Sequence, residues 1–150
     1  MRVVVQRVKT ASVFIDKVEI SRIEKGLLIL LGIEKDDAFS DIEYLVKKIV
    51  NLRIFNDENG IMNISIKEIN GELLVVSQFT LHASTKKGNR PSYIKAELTE
   101  KAIPLYEAFI NQLQIESGIK PLTGRFGAMM DVSLVNDGPV TIIIDSRTKE

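Results

Sequence analysis

The stretch GLLILLGI at residues 26–33 is the part of the sequence that decides the fold. It is continuously apolar and is bounded by glycine and charged residues, which is typical of a buried strand. Its longest apolar run, residues 27–31, is far too short to span a bilayer. The segments 2–8, 12–15 and 18–23 are rich in valine or alternate polar and apolar residues. They predict further strands, so a sheet is expected to form the core.

A helix is predicted after the buried strand. Ser40 and Glu43 stand three residues apart, which is the spacing of a capping box. The following turns place five apolar side chains on one helical face: Ile42, Leu45, Val46, Ile49 and Leu52. A second helix is predicted from Thr99 to about Gln114, and Pro104 would bend it or delay its start.

Strands return in the second half of the chain. The segment 73–79 is predicted as a strand and 80–92 as a polar loop, and the strands 128–135 and 140–146 are predicted to form a hairpin around an Asp-Gly turn. Strands outnumber helices and come in hairpin-linked groups. We therefore predict an α+β protein, in which antiparallel sheets curl into a barrel-like body and two helices cover it.

Composition limits the function classes. The 150 residues fit one domain, residues 1–150. Lys plus Arg equals Asp plus Glu, 20 against 20, which argues against a broad nucleic-acid platform but allows a small site that grips the end of a nucleic acid. The absence of cysteine excludes a disulfide scaffold and a thiolate nucleophile. The N-terminus resembles a strand and not a signal peptide, and a cytoplasmic location without membrane association is expected.

Most familiar catalytic motifs are missing. The chain has a single histidine, His82, and has no Gly-x-Ser-x-Gly elbow, no His-Glu-x-x-His and no glycine-rich phosphate loop. We expect neither a metal nor a cofactor. His82 is a candidate base, although a lone histidine beside a strand end is more often a surface or packing residue. If the protein is an enzyme, we expect it to act through positioning and through backbone N–H groups.

Two neighbouring segments combine residues that are typical of sites. Ser77-Gln78-Phe79-Thr80 follows an apolar strand, where sites are often mounted, but the same pattern also fits a capped strand end. In the segment 86–92, the side chains of Lys86, Lys87 and Arg90 are candidates to contact phosphates. The alternative for this segment is a solvated loop.

Two later segments are also unusual. In the segment 124–130, glycines surround an Arg-Phe pair and methionine follows. An aromatic ring and a thioether can form a flat slot for a nucleobase. The alternative is that these residues enter a strand as ordinary core residues. In the segment 136–141, Asp-Gly indicates a turn, and the proline that follows is less ordinary there.

Together these segments resemble the D-aminoacyl-tRNA deacylase family along almost the whole chain. SQFTL at 77–81 and NDGPVT at 136–141 match the two family signatures. Further matches are VQRV at 5–8, GLLILLG at 26–32, NLRIF at 51–55, KGNRPS at 87–92 and TGRFGA at 123–128. His82 stands where the family often has tyrosine, and Met129 where it often has aspartate.

The resemblance implies a homodimer with active sites at the subunit interface. The implied substrate is the ester between a D-amino acid, or glycine, and the terminal adenosine of tRNA. Gly138-Pro139 matches the Gly-cis-Pro motif that reaches into the partner subunit's pocket, holds the α-amino group and leaves no room for an L side chain. Arg7 matches the arginine that fixes this motif across the interface. Phe126 and Met130 match positions that line the adenine pocket.

The resemblance also implies roles beside the scissile ester. Ser77, Gln78 and Phe79 match the wall of the site, with backbone groups as oxyanion donors, and Thr80 matches a threonine once proposed as the nucleophile. The resulting hypothesis is that the ribose 2′-hydroxyl assists attack by water while the protein positions the reactants. Two other functions remain: hydrolysis of another small acyl ester on RNA, and a non-catalytic module that binds RNA ends.

Overall fold

The structure, a computed structural model, describes residues 1–149. Its elements alternate strand groups with two helices, as the sequence predicts. In chain order they are β1 (Arg2–Ile15), β2 (Val18–Ile23), β3 (Gly26–Gly32), α1 (Phe39–Asn51), β4 (Phe55–Asn56), β5 (Met62–Ile64), β6 (Glu72–Ser77), a 3-10 turn (Phe79–His82), α2 (Thr99–Ser117), β7 (Leu122–Thr123) and β8 (Asp131–Asp145).

The main sheet curls until it is nearly a closed barrel. One edge of β1 pairs with β8 on both sides of a bulge, and the other edge pairs first with β3 and then with β2. Beyond β3 the order continues through β6 to β7. The hydroxyl of Ser21 in β2 donates to the Thr123 carbonyl in β7 at 2.5 Å, so the ends of the sheet approach each other. The expected α+β fold is confirmed, but the sheet is mixed, because β3–β6 and β6–β7 are parallel.

The two faces of the sheet bury different cores, because side chains alternate between the faces along each strand. Val5, Ile29 and Val75 point to the face that both helices cover, where they meet Ile49 of α1 and Phe109 of α2. The opposite face lies inside the curl of the sheet. Its buried residues are Val8, Ala11, Val13, Ile23, Leu28, Leu74 and Val76.

The predicted hairpin at the end of the chain is wrong. β8 is one strand that pairs antiparallel with β1 from Asp131 to Asp145. Gln6 is opposite Thr141 but Val8 is opposite Asn136, so the residues 137–140 bulge out of the ladder opposite a single residue of β1. An Asp-Gly pair needs the same backbone freedom in a bulge as in a hairpin turn, so local pattern alone does not separate the two.

The helices begin and end close to their predicted positions. The predicted capping box at Ser40 is two residues too late: the backbone N–H of Ala38 donates to the carboxylate of Asp41 at 2.8 Å. α2 begins at Thr99 and contains Pro104 within its helical span. No helix within residues 1–149 combines the length and the apolar character needed to span a membrane.

Candidate active site

The first part of the candidate site is the end of β6 and the 3-10 turn that follows it. The parallel pairing of β3 with β6 runs to Leu31 opposite Ser77, and the backbone N–H of Gln78 donates to the Leu31 carbonyl at 2.8 Å. The chain then turns sharply at Phe79, whose ring is 56% exposed. A buried strand thus fixes the backbone of residues 77–80, which we call the wall, while its side chains face solvent or lie half-buried.

The wall presents two backbone donors that are free among residues 1–149, the N–H groups of Phe79 and Thr80. Two N–H groups further along the turn are already bonded. Leu81 N–H donates to the Gln78 carbonyl, and Ala83 N–H donates to the Thr80 carbonyl. Within residues 1–149, the N–H groups of Phe79 and Thr80 have no hydrogen-bond acceptor. Adjacent free N–H groups at the start of a turn can stabilise a developing oxyanion without an ionisable side chain. The wall therefore has the polarity needed for ester hydrolysis.

The hydroxyl of Thr80 is bonded inside the wall. The side-chain amide of Gln78 donates to its Oγ1. Among residues 1–149, no carboxylate or imidazole forms a hydrogen bond with this hydroxyl. A serine or threonine nucleophile needs an adjacent base to be activated. The arrangement therefore favours a positioning role for Thr80 over direct attack.

The second part of the candidate site is the bulge of β8. The Gly138–Pro139 peptide bond is cis, and Gly138 has φ +141°, a conformation that favours glycine. Arg7 stands opposite the bulge of its own chain, whereas the resemblance implied that it fixes this motif across an interface, and its side chain is almost fully buried. Its Nε donates to the Asp137 carbonyl at 2.8 Å, and its Nη1 donates to the Ile54 carbonyl at 2.5 Å.

Two further side chains hold the bulge, and neither was assigned a role from the sequence. Asn136 accepts the Val140 N–H at 2.7 Å and donates to the Val140 carbonyl at 3.2 Å and to Thr141 Oγ1 at 3.1 Å. Asn56 accepts from Arg7 Nη1 at 3.2 Å. Asn136 lies within the NDGPVT signature, but its role depends on the bulge geometry, which the sequence pattern assigned to a hairpin.

The wall and the bulge lie apart within the chain. Ser77 aligns through Leu31 with Val3 of β1, whereas the bulge lies opposite Arg7, four residues further along that strand. Four residues of strand span roughly 13 Å, and three strand spacings of about 4.8 Å separate β8 from β6. Glycine and proline have no side chain that could bridge this distance. One copy of the chain therefore does not bring the two parts together.

Phe126 and Met130 both lie near β6, but they pack into different clusters. The ring of Phe126 makes an edge contact with Tyr106 at 5.5 Å between centroids, on the face that the helices cover. Met130 packs against the inner face of the barrel, and its sulfur accepts the Arg125 N–H at 3.4 Å. Tyr106, which the sequence did not single out, donates its hydroxyl to the Val75 carbonyl at 3.0 Å, and burial raises its pKa to about 12.

The remaining candidates lie directly after the wall. Lys86, Lys87 and Arg90 are exposed on a loop that leaves the 3-10 turn. His82 is buried beneath that turn, with Nδ1 3.8 Å from Glu34 Oε2, and desolvation lowers its pKa. It faces away from solvent, so it serves packing and not proton transfer at the wall. Within residues 1–149, no group of three or more acidic or histidine side chains is placed to hold a metal ion.

Known proteins share this architecture and sequence. The family model described as D-Tyr-tRNA(Tyr) deacylase matches residues 4–145. A D-aminoacyl-tRNA deacylase of Flavobacterium psychrophilum is 64% identical over 150 residues, with full coverage of both chains, and one of Bacteroides fragilis is 63% identical over the same span.

Two solved structures resemble the chain. One, titled a c-Myc DNA unwinding element binding protein, is 43% identical with a TM-score of 0.92, and the match covers 97% of this chain and 98% of that one. Another, titled a probable eukaryotic D-amino acid tRNA deacylase, shares the fold at 17% identity with a TM-score of 0.79 and covers 95% and 97% of the two chains. By the span of the family match and the identity to these relatives, the chain belongs to the D-Tyr-tRNA(Tyr) deacylase family.

Proposed function

We propose that this D-aminoacyl-tRNA deacylase hydrolyses its ester at the wall, and that the bulge of a second copy completes each site. The deacylase activity follows from membership of the family and from full-length relatives of that name. The observation that carries the mechanism is the pair of free N–H groups at Phe79 and Thr80. They supply the electrostatic stabilisation that a tetrahedral oxyanion needs.

The reaction needs little from ionisable side chains. Water attacks the carbonyl carbon of the ester, and the negative charge that develops on the carbonyl oxygen is held by the two wall N–H groups. The bond between that carbon and the ribose oxygen then breaks, and the ribose oxygen takes a proton. The products are a free D-amino acid and a tRNA with both terminal hydroxyl groups. Positioned backbone donors of this kind contribute about 3 kcal/mol each to such steps.

The neighbouring 2′-hydroxyl of the ribose assists the attacking water. The wall supports this view, because the Thr80 hydroxyl accepts a hydrogen bond from Gln78 and forms none with a carboxylate or imidazole within residues 1–149. A substrate whose terminal ribose lacks the 2′-hydroxyl should therefore not turn over. Full activity on that 2′-deoxy substrate would refute the assistance, and a trapped acyl-enzyme on Thr80 would assign the attack to the threonine.

A second copy is needed because one protomer separates the wall from the bulge by roughly 13 Å along the strands. The surface that would receive it is apolar. Val76, Leu30, Val4 and Ile143 align in one row across β6, β3, β1 and β8. Val76 is only 1% exposed, whereas Ile143 at the sheet edge is 67% exposed. An apolar row that opens at an unpaired edge is suited to a symmetric contact between identical chains.

Selectivity in this arrangement comes from exclusion. The main-chain carbonyls of Gly138-Pro139 from one copy accept hydrogen bonds from the α-ammonium of the amino acid bound at the other copy's wall. Arg7 and Asn136 hold this backbone firmly, so an L side chain would collide with it while a D side chain points away. A rigid clash separates enantiomers far better than an apolar pocket separates similar side chains. Glycine has no side chain and is accepted.

The tRNA body is held at the exposed loop after the wall. The side chains of Lys86, Lys87 and Arg90 contact phosphates of the acceptor end, and Phe126 and Met130 line the adenine pocket. The support for the loop is its charge and its position next to the wall. Such contacts position the substrate without reading its sequence.

A deacylation assay with D-tyrosyl-tRNA, L-tyrosyl-tRNA and glycyl-tRNA tests the proposal. We expect release of D-tyrosine and glycine and no release of L-tyrosine above the uncatalysed rate. Equal hydrolysis of both tyrosyl enantiomers would refute exclusion by the bulge. Binding of tRNA without release would indicate an RNA-end-binding module, and activity only on other acyl esters of RNA would indicate a different esterase.

A further inference from the structure

The segment that follows the wall concentrates positive charge. Residues 83–96 contain Lys86, Lys87, Arg90 and Lys95 and no acidic residue. Removing these four from the chain's 20 basic side chains leaves 16 against 20 acidic ones, so the rest of the protein is acidic. A negatively charged partner is therefore directed to this one segment.

This segment is anchored at two points. Ser84 and Ser92 exchange backbone hydrogen bonds at 2.8 and 2.9 Å, which closes the basic loop between them. Further on, Lys35 N–H donates to the Lys95 carbonyl at 3.0 Å, and Glu34 pairs with Ala96. The residues between the two anchors therefore have a defined place beside the end of β3.

Tyr93 lies between the Ser84–Ser92 pair and the Lys35–Lys95 hydrogen bond, and it packs against the wall. Its ring makes an edge contact with the ring of Phe79, with centroids 5.0 Å apart and planes at 73°. Tyr93 is 40% exposed and the neighbouring Ile94 is 73% exposed. An oriented and accessible aromatic ring thus stands between the wall and the basic loop.

We propose that Tyr93 stacks against a base of the unpaired 3′ end of tRNA, among the nucleotides that precede the terminal adenosine. This inference rests on the proposed function, because that function places the terminal adenosine at the wall. An aromatic ring beside a basic groove is the arrangement that binds single-stranded nucleic acid, with stacking that tolerates any base. Lys86, Lys87 and Arg90 then hold the phosphates of the same nucleotides.

The test compares D-tyrosyl-tRNA with D-tyrosyl-adenosine, which keeps the terminal adenosine and lacks all the nucleotides that precede it. Loss of one stacking ring weakens binding by roughly 5- to 100-fold. We expect Tyr93→Ala to lower the ratio of kcat/KM for the tRNA ester to kcat/KM for the adenosine ester by that factor, through KM. Tyr93→Phe, which retains the ring, should restore the ratio to within about twofold. Ile94→Ala is the matched control, because it removes the neighbouring apolar side chain, which is also exposed but carries no ring.

The outcomes separate the inference from the function on which it rests. An unchanged ratio in Tyr93→Ala, or an equal loss on both substrates, would overturn the stacking role while leaving the deacylase function intact. Failure of the unaltered protein to hydrolyse either ester would overturn the function itself. The salt dependence gives a second readout: replacing Lys86, Lys87 and Arg90 by alanine should flatten the rise of KM with salt for the tRNA ester only.

Discussion

Arg7 stands directly opposite the bulge of β8, and its Nε donates to the carbonyl oxygen of Asp137 at 2.8 Å. The same guanidinium donates to the Ile54 carbonyl and to Asn56. The buried guanidinium thus links the bulge to the segment after α1 through hydrogen bonds. Only the planar guanidinium can donate in several fixed directions at once.

Arg7→Lys should loosen the bulge while retaining the charge. We expect kcat/KM for D-tyrosyl-tRNA to fall at least tenfold and the free energy of unfolding to fall by about 2 kcal/mol, because a buried carbonyl loses its donor. Steady-state kinetics and urea unfolding measure the two effects. Arg22→Lys is the control, since Arg22 forms only exposed ion pairs with Glu19 and Glu24. Wild-type kinetics in Arg7→Lys would contradict this role.

Asn136→Ala should remove three hydrogen bonds that close the bulge. The predicted loss is about 1–3 kcal/mol of stability and a lower ratio of D- to L-tyrosyl-tRNA hydrolysis, because the backbone wall against L side chains becomes mobile. Asn136→Asp keeps the acceptor for Val140 N–H. Its stability and its selectivity ratio should therefore lie between those of the original protein and those of Asn136→Ala. Gln112→Ala, which loses one exposed hydrogen bond on α2, serves as the comparison. A selectivity ratio that stays constant across the series would argue against the bulge as the selector.

Phe79→Pro should remove one of the two free N–H donors of the wall. Proline is tolerated at the first position of a helical turn, which Phe79 occupies, so the turn should persist. We expect kcat for D-tyrosyl-adenosine to fall roughly 100-fold or more, the usual effect of losing one oxyanion donor. Phe79→Leu keeps the N–H and should stay within about tenfold of the original rate. Equal losses in both variants would assign the effect to the ring.

His82 should make the protein less stable as the pH falls through the ordinary pKa of histidine, near 6.5. Burial lowers its pKa in the folded state, although the Gly32 carbonyl and Glu34 oppose this shift. The unfolded chain therefore binds a proton at a pH where the folded chain does not, and stability falls by at most about 1.4 kcal/mol per pH unit. Urea unfolding between pH 7.5 and pH 5.5, a window set by that pKa, measures this slope. His82→Gln should flatten the curve, and an unchanged slope would exclude His82 as its source.

How far the sequence predicts the structure depends on how local the signal is. The apolar run at 26–33 identifies a buried strand, because it is short and is bounded by glycine and charged residues, and α1 follows from its apolar stripe. The bulge at 137–140 was predicted as a hairpin, because the long pairing of β1 with β8 is a tertiary choice that no short pattern encodes.

Candidate site residues also divide into those that a local pattern identifies and those whose contacts depend on the fold. The wall and the bulge were found through their signatures. The contacts of Asn136 and Tyr93 were not, because they depend on what the fold brings beside them: Val140 across the bulge and Phe79 across the loop. The contact between Tyr106 and Phe126 could not be predicted either, because it depends on how α2 packs against the sheet.

Complementation between two inactive variants tests the shared site most directly. Phe79→Pro damages the wall, and Gly138→Ala damages the bulge, since a Cβ there would lie 2.8 Å from Val140 Cγ2 at φ +141°. When the two variants are mixed and reassembled, half of the dimers combine them, and each mixed dimer holds one undamaged wall facing one undamaged bulge. We predict recovery of about a quarter of the original D-tyrosyl-tRNA deacylation, with L-tyrosyl-tRNA still rejected. No recovery from folded, reassembled dimers would show that each wall works with the bulge of its own chain and would contradict the account.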